Sequence, residues 1–349
     1  MSEHTHVHTE ISGASVFKAI LIVLAFVFLY LLKDILIVFL FAIVIASAVN
    51  PFANWLEKKG LPRLLSVVLL YVVTFGLLIF ILSLVIPFAS SDLAQLTTLF
   101  PKIVEKLTSS LETVQEHSSK YFDVVSEVQN ILDTLSSYLQ QISQSALSLL
   151  ISIFGGLFSF VAVIIISFYL SVMRNGIESF LTSVIPAKYE GYTINLWKRA
   201  EHKVGRWLQG QLLLALIVGL VVYIGLTFLN IRFALVFGLL AMFLEIVPVA
   251  GPILAAIPAV ILAFLQSPTM GLWVVVFYLA VQQLENHILV PLVLGKTTGL
   301  NPVVVILALM VGAKLSGIAG AILAVPVATV FVEVLEDMAR NKAARSSSS

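Results

Sequence analysis

Leu212–Leu229 reads LLLALIVGLVVYIGLTFL, a run without one charged side chain. A bilayer core of about 30 Å takes about 20 apolar residues to cross as an α-helix. Helix is the form such a run must take, because in hydrocarbon every backbone N–H and C=O has to find its partner inside the segment. The rest of the chain is written in the same manner. Of its 349 residues 60% are apolar and 11% charged, and mean hydropathy is +1.06. Soluble domains stand near half apolar and a quarter charged. Water would not solvate this much Leu, Ile, Val and Phe, whereas lipid does. The fold class is therefore an all-α integral membrane protein.

Working outward from that run, Val16–Leu32 and Ile35–Val49 are two apolar segments parted by Lys33 and Asp34, which predicts a helical hairpin. Asn50-Pro51 is expected to close the second helix. Leu65–Phe88 is a third span and Leu147–Met173 a fourth, in which Gly155-Gly156 offers a place for close helix packing. Ser90–Ser145 lies between them and is polar. Leu96, Leu99, Phe100, Ile103 and Leu107 recur there at helical spacing, as do Val125, Val128, Leu132 and Leu135, predicting two amphipathic helices rather than spans. The organisation expected is a tail over 1–15, three spans over 16–89, an external insert over 90–146, and a fourth span over 147–173. Basic interfacial helices over 174–211, a transport module over 212–335 and a second tail over 336–349 complete it.

Charge sets the expected orientation. Lys58, Lys59 and Arg63 follow the second span, and six basic residues fall between Arg174 and Gln211; the insert carries seven acids against three bases. Both termini and the basic loops are placed in the cytoplasm, with the insert outside, in a bacterial inner membrane. Between Tyr192 and Leu208, Trp197, Ala200, Val204 and Trp207 mark one helical face, and Lys198, Arg199, His202, Lys203 and Arg206 the other. That pattern predicts a helix lying at lipid headgroups. The net charge of +1 gives no field for nucleic acid, and the chain has no cysteine. No cofactor and no metal is expected: His4, His6 and His8 read as a solvated tail, and His287 has no second ligand at matching spacing.

The last third is interrupted. Pro248, Gly251 and Pro252 break the apolar pieces Ile231–Val247 and Ile253–Phe264; Lys314, Ser316 and Gly317 break Val303–Ala313 and Ile318–Val332. Each pair is either two tilted spans or one re-entrant hairpin. Proline removes a donor and glycine admits shapes that helices forbid, and freed backbone groups at membrane depth are tolerated only against protein or water. Transporters place ion and solute sites at such ends. Glu245 sits three residues before Pro248. Gln282, Glu285 and Asn286 share one helical face, with Gln283 and His287 beside it. Intramembrane charges normally pair or face water, so the competing reading has Glu245 or Glu285 paired with a base such as Lys314. The candidate site is Glu245, Pro248, Gly251, Pro252, Gln282, Gln283, Glu285, Asn286, Pro291 and Lys314.

These residues carry a resemblance. Phe243-Leu-Glu-Ile-Val-Pro-Val-Ala-Gly-Pro252, Gln283-Leu-Glu-Asn-His-Ile-Leu-Val-Pro291 and Gly299-Leu-Asn-Pro302, continuing to Gly317, Gly320 and Pro326, resemble the autoinducer-2 exporter (AI-2E) family. Pro51, Gly60, Arg63 and Gly210-Gln211 are lesser marks of it, and the likeness spans nearly the whole chain. It implies about eight membrane helices, a pentameric homo-oligomer in the lipid bilayer, and a mobile module moved in an elevator-like way. It also implies export of autoinducer-2 or a similar small polar solute, or else sodium–proton antiport. Motifs of hydrolases, metalloproteases and nucleotide-binding loops are absent from the sequence. A non-transporting scaffold, with the acidic insert as its partner surface, is the remaining alternative.

Overall fold

The computed structural model describes residues 13–77, 79–80, 134, 137, 156–173, 175–295 and 299–346. The far half of the third span, the histidine-bearing tail and the insert, apart from residues 134 and 137, lie outside them. The described residues are helical throughout, as expected. In chain order they form α1 (Gly13–Leu31), α2 (Lys33–Lys58) and α3 (Arg63–Leu77). Then come α4 (Leu157–Val172), α5 (Gly176–Val184), α6 (Ala187–Phe228), α7 (Ala234–Leu244) and α8 (Ala250–Gln266). α9 (Pro268–Leu284), a π-helical segment (Glu285–Leu289), α10 (Val290–Val293) and α11 (Pro302–Ser346) follow. By length and composition four helical stretches among the described residues are long and apolar enough to cross a bilayer: Lys33–Lys58, Ala187–Phe228, Pro268–Val293 and Pro302–Ala339, the last interrupted at Ser316 and Gly317. A fifth is added if α4 and α5, bent by 83° to one another, form one span.

Three expectations are corrected at the start of the chain. Lys33-Asp34 does not turn the chain back. Leu32 N–H still bonds the Phe28 carbonyl (3.0 Å) and the Leu32 carbonyl still accepts Leu36 N–H (2.9 Å), so α1 and α2 join as a kinked rod. Nor does Pro51 end α2, which runs on to Lys58. Proline has no N–H to give the Ser47 carbonyl, and α6 uses the space. A Cβ on Gly205 would strike that carbonyl, and Gln209 donates Nε2 to the neighbouring Ala48 carbonyl (2.7 Å). Nor is Gly156 a packing glycine among the described residues: it precedes α4 with φ 122°, none of them lies within 4 Å of where its Cβ would be, and Gly155 lies outside them.

α6 is the largest departure. The basic stretch and the fifth span form one continuous helix of 42 residues, about 63 Å long at 1.5 Å per residue. The apolar face that sequence assigns to headgroups packs on protein instead. Val204 and Trp207 are buried against Phe41 and Val44 of α2, Val163 of α4, and Leu323 and Val325 of α11. Its charged face is also occupied. Arg199 Nε meets Glu333 (3.0 Å), Lys203 Nζ meets the other Glu333 oxygen, Arg199 Nη2 meets Asp337 (2.5 Å), and Lys198 meets Glu178 (3.1 Å). Arg63 makes a second polar knot, with Asn50, Asn54, Glu57 and the Ser171 carbonyl, and Asn50 passes it on to Glu201 (2.7 Å).

The C-terminal half packs by small residues, as helices do where lipid supplies no hydrophobic drive between them. α6 and α7 run antiparallel with Gly219 and Gly238 face to face, each Cβ position within 2.9 Å of the other's carbonyl. Leu214, Val218, Val222 and Leu226, a stripe at every fourth position of α6, then meet Phe237 and Ala241 of α7, Ala255 and Ala259 of α8, and Val274 and Val281 of α9. α11 leaves helical geometry at Ser316 and Gly317, and Gly312 touches Gly320 beyond them. Eight residues of straight helix would hold that pair about 12 Å apart, so the second break reverses the chain into a hairpin.

Glu333 has a side chain only 5% exposed and serves two cations. Glu333→Gln leaves Lys203 without its anion, and we expect a loss of about 2 kcal/mol. A lower melting temperature in detergent at low salt, with the gap narrowing at high salt, checks this. An unchanged melt would show that the clamp is dispensable.

Candidate functional site

The first break is built from backbone arithmetic. α7 ends at Leu244, with Glu245 N–H bonded to the Ala241 carbonyl (2.9 Å). Pro248 has no N–H to continue the ladder. The chain turns instead at Val249, whose φ of 68° and ψ of −53° close a three-residue turn by the Ala250 N–H to Pro248 carbonyl bond (2.8 Å). This is the strained hand of the γ-turn, and a β-branched residue there is a genuine outlier. Gly251 then crosses so close to the end of α7 that a Cβ would strike the Leu244 carbonyl. Its N–H bonds the Val247 carbonyl (2.9 Å), and α8 proceeds with Pro252 buried in its first turn.

The geometry takes the helical donor from the carbonyls of Phe243, Glu245 and Ile246, and Gln211 answers that of Glu245. Gln211 stands mid-way along α6, is 1% exposed, and donates Nε2 to the Glu245 carbonyl at 2.5 Å. The Glu245 side chain is itself 1% exposed, and neither carboxylate oxygen has a hydrogen-bond partner among the described residues.

The facing wall is the end of α9. Pro291 has neither an N–H nor room for an α-turn against the carbonyl four residues back, and the helix widens before it into the π-turn Glu285–Leu289, closed by Val290 N–H to the Glu285 carbonyl. Such widenings recur at functional sites. Glu285, at the head of the turn, is 4% exposed. It lies close enough to Glu245 for the two charges to act on one another. Gln282 lies beside the Glu285 carboxylate and reaches Asn286 Oδ1 (3.5 Å), while Glu285 Oε2 has no hydrogen-bond partner among the described residues.

The structure thus gathers Glu245, Glu285, Gln282, Gly251, Pro252 and half-buried Pro248. Asn286 sits at the exposed rim. Gln283 faces out, its carbonyl engaged by His287 Nδ1 (3.1 Å), and Pro291 acts on backbone shape from an exposed position. Lys314 is exposed at the tip of the α11 hairpin, and no ion pair joins it to Glu245 or Glu285 among the described residues. The two breaks do meet: Val247 packs against Leu309, Ala321 and Ala324 of that hairpin.

Two polar groups of this region are absent from the sequence-based set. Gln211 had a signal, an amide placed directly before the apolar run that opens at Leu212. Tyr278 has a buried hydroxyl without a hydrogen-bond partner among the described residues and stands four residues before Gln282 and seven before Glu285, a spacing that puts all three on one face. No group of three or more His, Asp or Glu side chains that could hold a metal occurs among the described residues.

Residues 19–340 match the family described as AI-2E family transporter. YueF of Bacillus subtilis (strain 168) is 34% identical over 288 residues, covering 80% of this chain and 78% of that protein. YrrI of the same organism is 29% identical over 312 residues, 88% of this chain and 87% of that one. TqsA of Escherichia coli (strain K12), named as an AI-2 transport protein, is 26% identical over 310 residues, again 88% and 87%.

Val249→Gly is expected to relieve the turn and raise stability by about 1 kcal/mol, the strain less the entropy that glycine adds to the unfolded chain. Val249→Ala keeps the unfavourable φ and is the control. If the glycine variant melts no higher than the alanine variant, the turn stores no strain.

Proposed function

The chain belongs to the AI-2E transporter family, and from that premise we propose a secondary transporter that exports a small hydrophilic solute of the autoinducer-2 kind. Coupling is to protons or sodium ions, in a bacterial inner membrane with both termini in the cytoplasm. The module that carries the two breaks moves against the remainder in an elevator-like way, within a pentamer.

The observation behind this reading is the buried pair Glu245 and Glu285, within electrostatic reach of one another beside a broken helix, with three oxygens unpartnered among the described residues. An ionised carboxylate only accepts hydrogen bonds. Left bare in dry protein it costs several kcal/mol. Such a pair is stable only while something brings it a proton, a cation or hydroxyl donors, and a carrier needs a site whose stability depends on what occupies it. Solutes rich in hydroxyls donate in the required sense. Gln282 offers both a donor and an acceptor at the rim, and unwound backbone at the turn adds carbonyls.

Sodium–proton antiport is the second reading, and the same unpartnered oxygens favour it. Carboxylates and carbonyls are hard oxygen ligands, and no basic side chain pairs with either glutamate among the described residues.

Purified protein in vesicles, under imposed pH and sodium gradients and with a panel of small polyols, separates these readings. Solute-dependent proton or sodium movement supports export; flux that needs no solute supports antiport. Glu245→Gln and Glu285→Gln are each expected to lower transport about tenfold or more. Variants that insert normally and transport like the parent would remove both carboxylates from the site.

A further inference from the structure

We infer that Gln211 is the positioning residue of this site: its side-chain amide replaces the helical N–H missing at the break and so fixes where Glu245 is held. The inference rests on the reading of Glu245 as a transport residue and adds a residue that acts through it.

In an unbroken helix the Glu245 carbonyl would accept from the N–H of residue 249. The turn at Val249 points that N–H elsewhere, while the Leu244 carbonyl takes Val247 N–H (2.9 Å) and the Val247 carbonyl takes Gly251 N–H (2.9 Å). The Glu245 carbonyl therefore loses its helical donor, as do those of Phe243 and Ile246, and it belongs to a residue that is itself 1% exposed, where an unpaired carbonyl costs the desolvation of the group. Gln211 answers from another helix, 34 positions away in sequence. Glu245 has its Cα directly before that carbonyl, so the bond sets the direction in which its side chain leaves the backbone. The two residues before Gln211 are engaged by other helical segments: Gln209 donates to Ala48 of α2, and the Leu294 side chain beyond α10 rests on Gly210. The donor stands on α6, its acceptor is the broken end, and the carboxylate hangs from that acceptor.

The test uses the full chain in vesicles, with Gln211→Met (near the same length, no donor) and Gln211→Asn (an amide too short to reach). Dicyclohexylcarbodiimide, which labels buried carboxyl groups, is the probe, read by mass spectrometry at Glu245 and Glu285 separately. We expect both variants to melt cooperatively. Labelling at Glu245 should change about threefold or more while Glu285 labels as in the parent, and transport should fall about tenfold. Equal labelling at Glu245 in a folded variant overturns the inference, as does changed labelling with full transport. Failure of both variants to fold assigns Gln211 a purely structural part and also overturns it. Transport by Glu245→Gln at the parent rate sinks the underlying reading instead, whatever the labelling shows.

Discussion

A backbone carbonyl that loses its helical donor inside a bilayer must be given another, and in this chain that demand falls on Glu245. Pro248 withdraws one N–H, Val249 turns another away, and a fully buried amide from α6 fills the gap. The rest of the C-terminal half follows from having that break where it is. α8 can return along α7 because Gly251 admits the crossing. Glu245 stays in protein rather than lipid because its own backbone is tied to a neighbouring helix. Val247 reaches the second hairpin because the turn projects toward it.

α6 is what the other helices refer to. Along its length, Gly205 meets α2, Gly210 meets the residue after α10, Gly219 meets α7, and Gly225 meets the ring of Phe277 on α9. Each glycine removes a side chain at a crossing, so α6 meets the backbones of α2 and α7 directly and admits the side chains of Leu294 and Phe277 onto its own. Arg199 and Lys203, near its start, clamp Glu333 and Asp337 of α11, and Tyr192 also bonds Asp337. Polar fasteners hold the end outside the apolar core, where charges are readily solvated. Glycine contacts and one amide hold the part within it.

This division explains what could be read in the sequence. Apolar runs of span length are legible because hydrocarbon leaves helix as the sole option, and the all-helical membrane fold follows from composition alone. Pro248, Gly251 and Pro252 are legible as a break, and Glu245 and Glu285 as intramembrane acids, because each violates its surroundings. The direction in which the chain leaves a break is not legible. Lys33-Asp34 and Ser316-Gly317 are both short polar interruptions, yet the first keeps its helical bonds and the second reverses, since only Gly317 adopts φ 59°. The basic face of α6 misleads for a related reason: Trp207 and Arg199 suit a lipid surface and a protein surface equally, and the choice is made by Glu333, more than a hundred residues away. Gln211 is the hardest case. Its partner is a main-chain carbonyl, which leaves no trace in residue type.

The charges are sorted by depth, and the sorting bears on what the pair Glu245 and Glu285 can hold. Near the ends of the spans, Arg63, Lys198, Arg199 and Lys203 each have an acid partner. Inside, Glu245 and Glu285 are buried within electrostatic reach of one another, and among the described residues Gln282 is the side chain beside the Glu285 carboxylate. A fixed lysine or arginine there would satisfy them permanently and leave nothing for a ligand to do. On the reading of this pair as a transport site, the two carboxylates compete for whatever positive or donating species enters, and the energy of that occupancy is available to shift the segments that carry them. The lack of a basic partner for this pair among the described residues is, on that reading, what a carrier site requires.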